Sequence, residues 1–313
     1  MRLAATLLSL GLPALAMAAP VQIDGPAGPL EAEMLAVRDA VHAVVIVPGS
    51  GPVDRDGNSP RAGLGSDTYK LLAEDLAKAG IASLRIDKRG FYGSRAAIAD
   101  PNDVSIAAYA DDVRKWVLRA SELAPCVWIA GHSEGGLVAL AAARQAPESL
   151  CGLILVSTSG RPVGRLLVEQ LRAIPGNASL MPEIEAIVAD LEAGRRRDPS
   201  AISAPLQPLF AEGVQAFMID VFGYDPVEVA AAWKGPALIV QGTADMQVRP
   251  LDADILAAAL PQAERLDLAG GTHMLRADVP GQPFVTYADP SLPLHPDLLP
   301  GIVRFLERHR PEK

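Results

Sequence analysis

Ser133, Asp245 and His273 are residues of the three kinds that together turn a hydroxyl into a nucleophile. A serine hydroxyl is weak at neutral pH. It needs a base within hydrogen-bond reach, and the base needs an acid to hold its tautomer and steady its charged form. Ser133 lies in Gly131-His132-Ser133-Glu134-Gly135, a G-x-S-x-G pentapeptide. Of the five histidines, only His273 follows an apolar run in a glycine-rich loop, Gly270-Gly271-Thr272-His273. His42 opens a strand at the opposite end of the sheet, His295 lies in a late loop and His309 in the terminal tail. His132 adjoins Ser133, so its side chain is expected in the core or on the opposite face. Asp245 closes the turn Gln241-Gly242-Thr243-Ala244-Asp245 after another apolar run and is the candidate acid; Asp252, inside the next helical pattern, is its rival. Attack on a carbonyl creates an oxyanion, which two backbone N–H groups should meet. Glu134 supplies one. Ser50 is the choice for the other, with Gly51 close behind, because Pro48 and Pro52 have no N–H.

Each candidate leaves the end of a buried strand. Residues 127–130 form a short apolar run before Ser133, and residues 137–145 an Ala- and Leu-rich helix after it. Gly131 and Gly135 leave room for the tight turn between them. Other strands read at 29–37, 42–47, 81–86, 153–157, 237–240 and 264–268, and helices at 67–79, 105–123, 251–260 and 297–308, with Asp67 able to cap the first. Continuous apolar strands alternating with helices mean a mainly parallel sheet covered on both faces, an α/β fold. Its working site lies beyond the carboxyl ends of the strands. Between residues 160 and 235 the alternation stops. Helical patterns at 163–174, 182–196, 206–222 and 226–233 read as an inserted cap, with Phe210, Phe217, Met218 and Phe222 packing it onto the core or, as the alternative, touching substrate. The chain then divides into 1–18, a core in two parts (19–159 and 236–313) and a helical cap (160–235).

Residues 1–18 have the form of an export signal: Arg2, an apolar middle broken by Pro13, and Ala16-Met17-Ala18 as a cleavage site. An exported protein, periplasmic or secreted, is therefore expected. The chain has 313 residues, enough for one large core, and a formal net charge of −9, which argues against nucleic acid or anionic membranes as partners. Its two cysteines, Cys126 and Cys151, each precede an apolar run. On adjacent parallel strands they would come within disulfide reach; two buried free thiols are the other reading. With two cysteines and no clustered histidines, no metal is expected.

These motifs resemble the α/β-hydrolase superfamily, and within it an esterase-like group typified by a loop close to Gly-Ser-Gly-Pro-x-Asp-Arg-Asp-Gly-Asn, here residues 49–58. The resemblance extends to Asp87-Lys88-Arg89-Gly90, Gly131–Gly136, Gly242–Asp245 and Gly271-Thr272-His273, and covers the mature chain except the cap. It implies a triad of Ser133, Asp245 and His273, in the chain order of that fold. Pro48 stands where many relatives carry histidine. Members hydrolyse carboxylic esters of short acyl chains, and relatives are labelled serine aminopeptidases or acyl hydrolases. The expectation is an exported carboxylesterase that acts on a small ester or acyl substrate without a cofactor. The alternatives are an aminopeptidase or other amide or thioester hydrolase and, in another class, a catalytically silent binding protein. Asp54, Arg55 and Asp56 read as an ion-pair cluster that pins the oxyanion loop together with Asp87 and Arg89, with direct substrate binding as the alternative.

Overall fold

The computed structural model describes residues 17–311. The export-signal reading falls on residues 1–18, of which 1–16 lie outside the described residues. In chain order the elements begin with β1 (Met17–Asp24), β2 (Pro29–Ala36) and β3 (His42–Val47). A two-residue-per-strand hairpin, β4 (Asn58–Ser59) and β5 (Leu64–Gly65), precedes α1 (Thr68–Lys78), β6 (Ala82–Ile86) and α2 (Ile106–Ala120). Then come β7 (Cys126–His132), α3 (Glu134–Ala143) and β8 (Leu150–Val156). Four helices follow without a strand: α4 (Val163–Arg172), α5 (Met181–Glu192), α6 (Glu212–Phe222) and α7 (Pro226–Ala231). The chain closes with β9 (Ala237–Gly242), α8 (Pro250–Ala259), β10 (Glu264–Leu268), α9 (Val285–Ala288) and α10 (Leu298–Arg308).

Eight strands make one sheet in the order β1-β2-β6-β3-β7-β8-β9-β10. From β6 to β10 all pairs are parallel, and β1 and β2 add an antiparallel edge. Successive strand residues point to opposite faces, and both faces are buried. Val45 and Val47 pack with Val113, Leu140 and Leu256, from α2, α3 and α8. Val44 and Ile46 pack with Leu72, Ile302 and Phe305, from α1 and α10. Covering both faces is why these strands are apolar without interruption.

Nothing in the sequence reading anticipates β1 or the β4–β5 hairpin. The helix read at 206–222 begins only at Glu212; Pro208 has no N–H to give, and residues 206–210 turn through bonds such as Phe210 N–H to the Leu206 carbonyl at 3.0 Å. Asp67 does not cap α1 with its side chain. It sits at φ 51°, and its carboxylate takes a 2.6 Å hydrogen bond from Asn58 Nδ2 instead. Ser105 does cap α2, accepting from the Ala108 N–H at 3.1 Å. Cys126, the first residue of β7, and Cys151, the second of neighbouring β8, are joined by a disulfide, Cα atoms 5.5 Å apart.

Candidate active site

Ser133 stands between β7 and α3 at φ 55° and ψ −121°, a conformation costly for a residue with a side chain. Two glycines make the turn possible. A Cβ on Gly131 would overlap the Gly135 carbonyl, and one on Gly135 would overlap the carbonyls of Val47 and Pro48. The start of α3 is therefore pressed against the loop after β3. That loop also runs past the serine: a Cβ on Gly49 would lie 3.3 Å from Ser133 Cβ.

Asp245 and His273 meet after the ends of neighbouring strands β9 and β10. His273 Nδ1 is 2.8 Å from Asp245 Oδ2, and both side chains are buried. Burial pushes the Asp245 carboxyl up, but the charge and hydrogen bond of His273 and the N–H groups of Val248 and Gln247 outweigh it and leave it below the usual carboxylate range. A carboxylate accepts, so Nδ1 carries the proton and Nε2 is left as the basic nitrogen. No hydrogen bond joins Ser133 Oγ to His273 Nε2 in this structure, though both residues line the same cavity; such contacts often tighten only with substrate bound. The rival Asp252 is elsewhere occupied. It binds Arg161 at 2.9 Å through both carboxylate oxygens and caps α8 through the Arg249 N–H.

The Glu134 and Ser50 N–H groups make no hydrogen bond to any acceptor among the described residues. The Gly49 N–H is taken by the Tyr69 hydroxyl at 3.1 Å, which leaves Ser50 and Gly51 as the available donors of that loop. Four of the surrounding contacts escaped the sequence reading. Lys88 Nζ donates to the Gly49 carbonyl at 2.6 Å and meets Glu134 Oε1 at 3.3 Å. The Tyr69 hydroxyl lies 2.8 Å from His132 Nδ1, and His132 Nε2 lies 2.9 Å from the His273 carbonyl.

His132 thus turns toward the site rather than into the core or the opposite face, with its ring centroid 4.6 Å from that of His273. The strand's last side chain lies beside His273. Burial, reinforced by the neighbouring His273, pushes the His132 imidazole down to about 3. A neutral ring facing a carbonyl must donate from Nε2 and accept at Nδ1. Hydrogens therefore run one way, from the Gly49 N–H to Tyr69 O, from the Tyr69 hydroxyl to His132, and from His132 to the His273 carbonyl.

The charged residues of the loop are tied down away from the cavity. Arg55 binds Asp87 through its N–H at 2.8 Å and its guanidinium at 2.9 Å, and pairs with Glu31. Asp56 pairs with Arg85. Asp54 accepts from the N–H groups of Asp56 and Asn58 at 2.9 and 2.8 Å. Arg89 is not part of this cluster; its guanidinium is committed to Asp112 at 2.6 Å. None of Asp54, Arg55 and Asp56 lines the cavity.

That cavity has a volume of about 760 Å³ and lies under α4 and α6. Leu166, Val214, Phe217, Met218, Val221 and Phe222 form much of its wall. The aromatic residues read as cap packing therefore divide: Phe217 and Phe222 line the cavity, whereas Phe210 is fully buried outside it. Among the described residues, Glu134 is the only acidic one on the wall, and its carboxylate is paired with Lys88.

The family model described as serine aminopeptidase, S33 (Hydrolase_4) matches residues 60–279. The chain belongs to this family. The matched span encloses Ser133, Asp245 and His273 and begins beyond the charged loop at 49–58. Solved structures similar to this S33-family hydrolase share the α/β-hydrolase fold. A thermophilic esterase from Thermogutta terrifontis is 20% identical, with a TM-score of 0.58, over 94% of this chain and 100% of that one. The α/β hydrolase GrgF from a Penicillium species is 16% identical, with a TM-score of 0.62, over 94% and 99%. Est1E from Butyrivibrio proteoclasticus, with ferulic acid bound, is 17% identical, with a TM-score of 0.59, over 93% and 98%. No curated protein matches the chain by sequence.

Proposed function

We propose that this S33-family hydrolase is an exported carboxylesterase that works through Ser133, His273 and Asp245. Ser133 Oγ attacks the ester carbonyl while its proton passes to His273 Nε2. Asp245 holds Nδ1–H and steadies the imidazolium. The Glu134 and Ser50 N–H groups receive the oxyanion. As the C–O bond breaks, His273 returns the proton to the departing alcohol. Water then repeats the sequence on the acyl-enzyme, releasing the acid and restoring Ser133. Helices α4 to α7 act as the cap, and no metal or organic cofactor enters these steps.

The observation that carries the ester reading is the cavity wall beside Ser133. An aminopeptidase needs a free carboxylate to hold the substrate's ammonium, and the single acidic side chain there already has Lys88 as its partner. An uncharged ester with an apolar portion meets no unpaired charge on this wall. The esterase named among the structural neighbours fits the same reading. Export is supported by the joined Cys126 and Cys151, since such bonds persist in oxidising compartments.

A side-by-side assay on nitrophenyl esters and amino-acid nitroanilides tests this. Ester turnover is expected to dominate and to fall about 10³-fold or more in Ser133→Ala. Preference for the anilides would replace the ester reading with the amide one, and equal rates for wild type and variant would remove Ser133 from the mechanism.

A further inference from the structure

Gly49 stands between Pro48 and Ser50 and is held from both sides. Its N–H donates to Tyr69 at 3.1 Å, and its carbonyl accepts from Lys88 Nζ at 2.6 Å. No described peptide bond is cis. The Gly49 carbonyl and the Ser50 N–H therefore share one rigid plane and point in opposite directions. Whatever fixes that carbonyl also fixes the Ser50 N–H.

The Lys88 side chain is only 3% exposed. An ammonium has three N–H donors and no acceptor. One is given to Gly49, one faces Glu134 Oε1 at 3.3 Å, and the ammonium lies 5.3 Å from the centre of the Tyr109 ring, within cation–π reach. These protein groups already engage it from three sides. It therefore holds together the two residues, Ser50 through its shared peptide plane and Glu134 through its side chain, whose N–H groups the esterase reading offers to one oxygen.

We propose that Lys88 is the positioning residue of the oxyanion hole. A single buried ammonium sets the direction of the Ser50 N–H and its spacing from the Glu134 N–H, before substrate arrives. The inference rests on the serine-esterase reading above. It gives the Glu134 carboxylate a role as the second anchor of that ammonium, separate from the acid–base steps. Donors fixed in advance need no reorganisation as charge develops, so their loss falls on the transition state rather than on substrate binding.

Lys88→Met keeps a side chain of similar length against Tyr109 and removes both polar contacts. Wild type, Lys88→Met and Lys88→Arg are compared on nitrophenyl butyrate with kcat and KM separated, and with an aryl trifluoromethyl ketone, whose serine adduct carries an oxyanion. In Lys88→Met, kcat is expected to fall about 100-fold with KM nearly unchanged, and ketone affinity to fall by the same factor as kcat/KM. Lys88→Arg, which keeps a charged donor, is expected to recover part of both. Wild-type turnover and ketone affinity in Lys88→Met would overturn the proposal, as would a loss of kcat with ketone affinity intact. Should Lys88→Met not fold, Lys88→Gln is measured the same way. Wild-type ketone affinity there overturns the proposal, and a weakened one supports it. An inactive wild type would instead defeat the esterase reading.

Discussion

His132 is a histidine that the fold keeps neutral next to one proposed to gain and lose a proton. Its imidazole is depressed from the ordinary 6.5 to about 3 by burial and by His273. Below pH 6.5 the unfolded chain takes up a proton at this position and the folded chain does not. Stability from His132 is thus complete above pH 6.5 and declines as pH falls toward 3, by at most about 1.4 kcal/mol per pH unit. Chemical denaturation at pH 7, 6 and 5 measures this. His132→Asn should flatten the wild-type slope by up to one proton, and an unchanged slope would mean that His132 titrates normally. Asp245 acts lower on the scale. Its depressed carboxyl contributes stability that is present above its ordinary pKa near 3.8 and is lost as pH falls below it. Legibility differed among these residues for a physical reason. Ser133, Asp245 and His273 each follow an apolar strand in a glycine-bearing turn, and local sequence carries that signal. Lys88 and Tyr69 bind main-chain atoms of Gly49, across 39 and 20 residues. A contact with a backbone atom leaves no trace in the identity of its partner.

At the level of elements, the strands were legible because burial on both faces demands uninterrupted apolar runs. The starts of the helices read from the sequence were legible to within a residue, except those of α3 and α6. α3 begins at Glu134, three residues before its apolar pattern, because the turn at Ser133 and not a capping side chain sets its first residue. The same distinction between pattern and geometry separates the two aspartates. Asp252 lies in the first turn of α8 and is fully buried against Arg161, which itself reaches Glu169 of α4 at 2.7 Å. This ties the start of the helical insert to the core. Asp252→Ala should cost about 3 kcal/mol, since it strands part of a buried charge, while the folded fraction retains its turnover. Asp245→Asn should show the reverse, a loss of about 10³- to 10⁴-fold in kcat with the fold intact. Thermal melts read alongside kcat for the two variants test the assignment, and a large loss of kcat in Asp252→Ala would reinstate it as the acid.

In the whole molecule, structural fastening and proposed chemistry lie at opposite ends of the same strand. Cys126 opens β7 and Ser133 follows its last residue, seven residues on, which is ~20 Å along a strand. The disulfide closes a 25-residue separation, and its reduction should lower stability by about 2–4 kcal/mol. Turnover by the folded enzyme should not change; a fall in kcat of the reduced, folded protein would show that the two ends communicate. The hydrogen-bonded line from Gly49 to His273 spans a different set of segments: the loop after β3, helix α1, the end of β7 and the loop after β10. It begins on a main-chain N–H and ends on a main-chain carbonyl, neither of which can exchange roles. Its protons therefore have a single arrangement and cannot be relayed. Two imidazoles in contact are in this way divided between opposite duties: one is proposed to carry protons, and the other is locked so that they cannot leak past it.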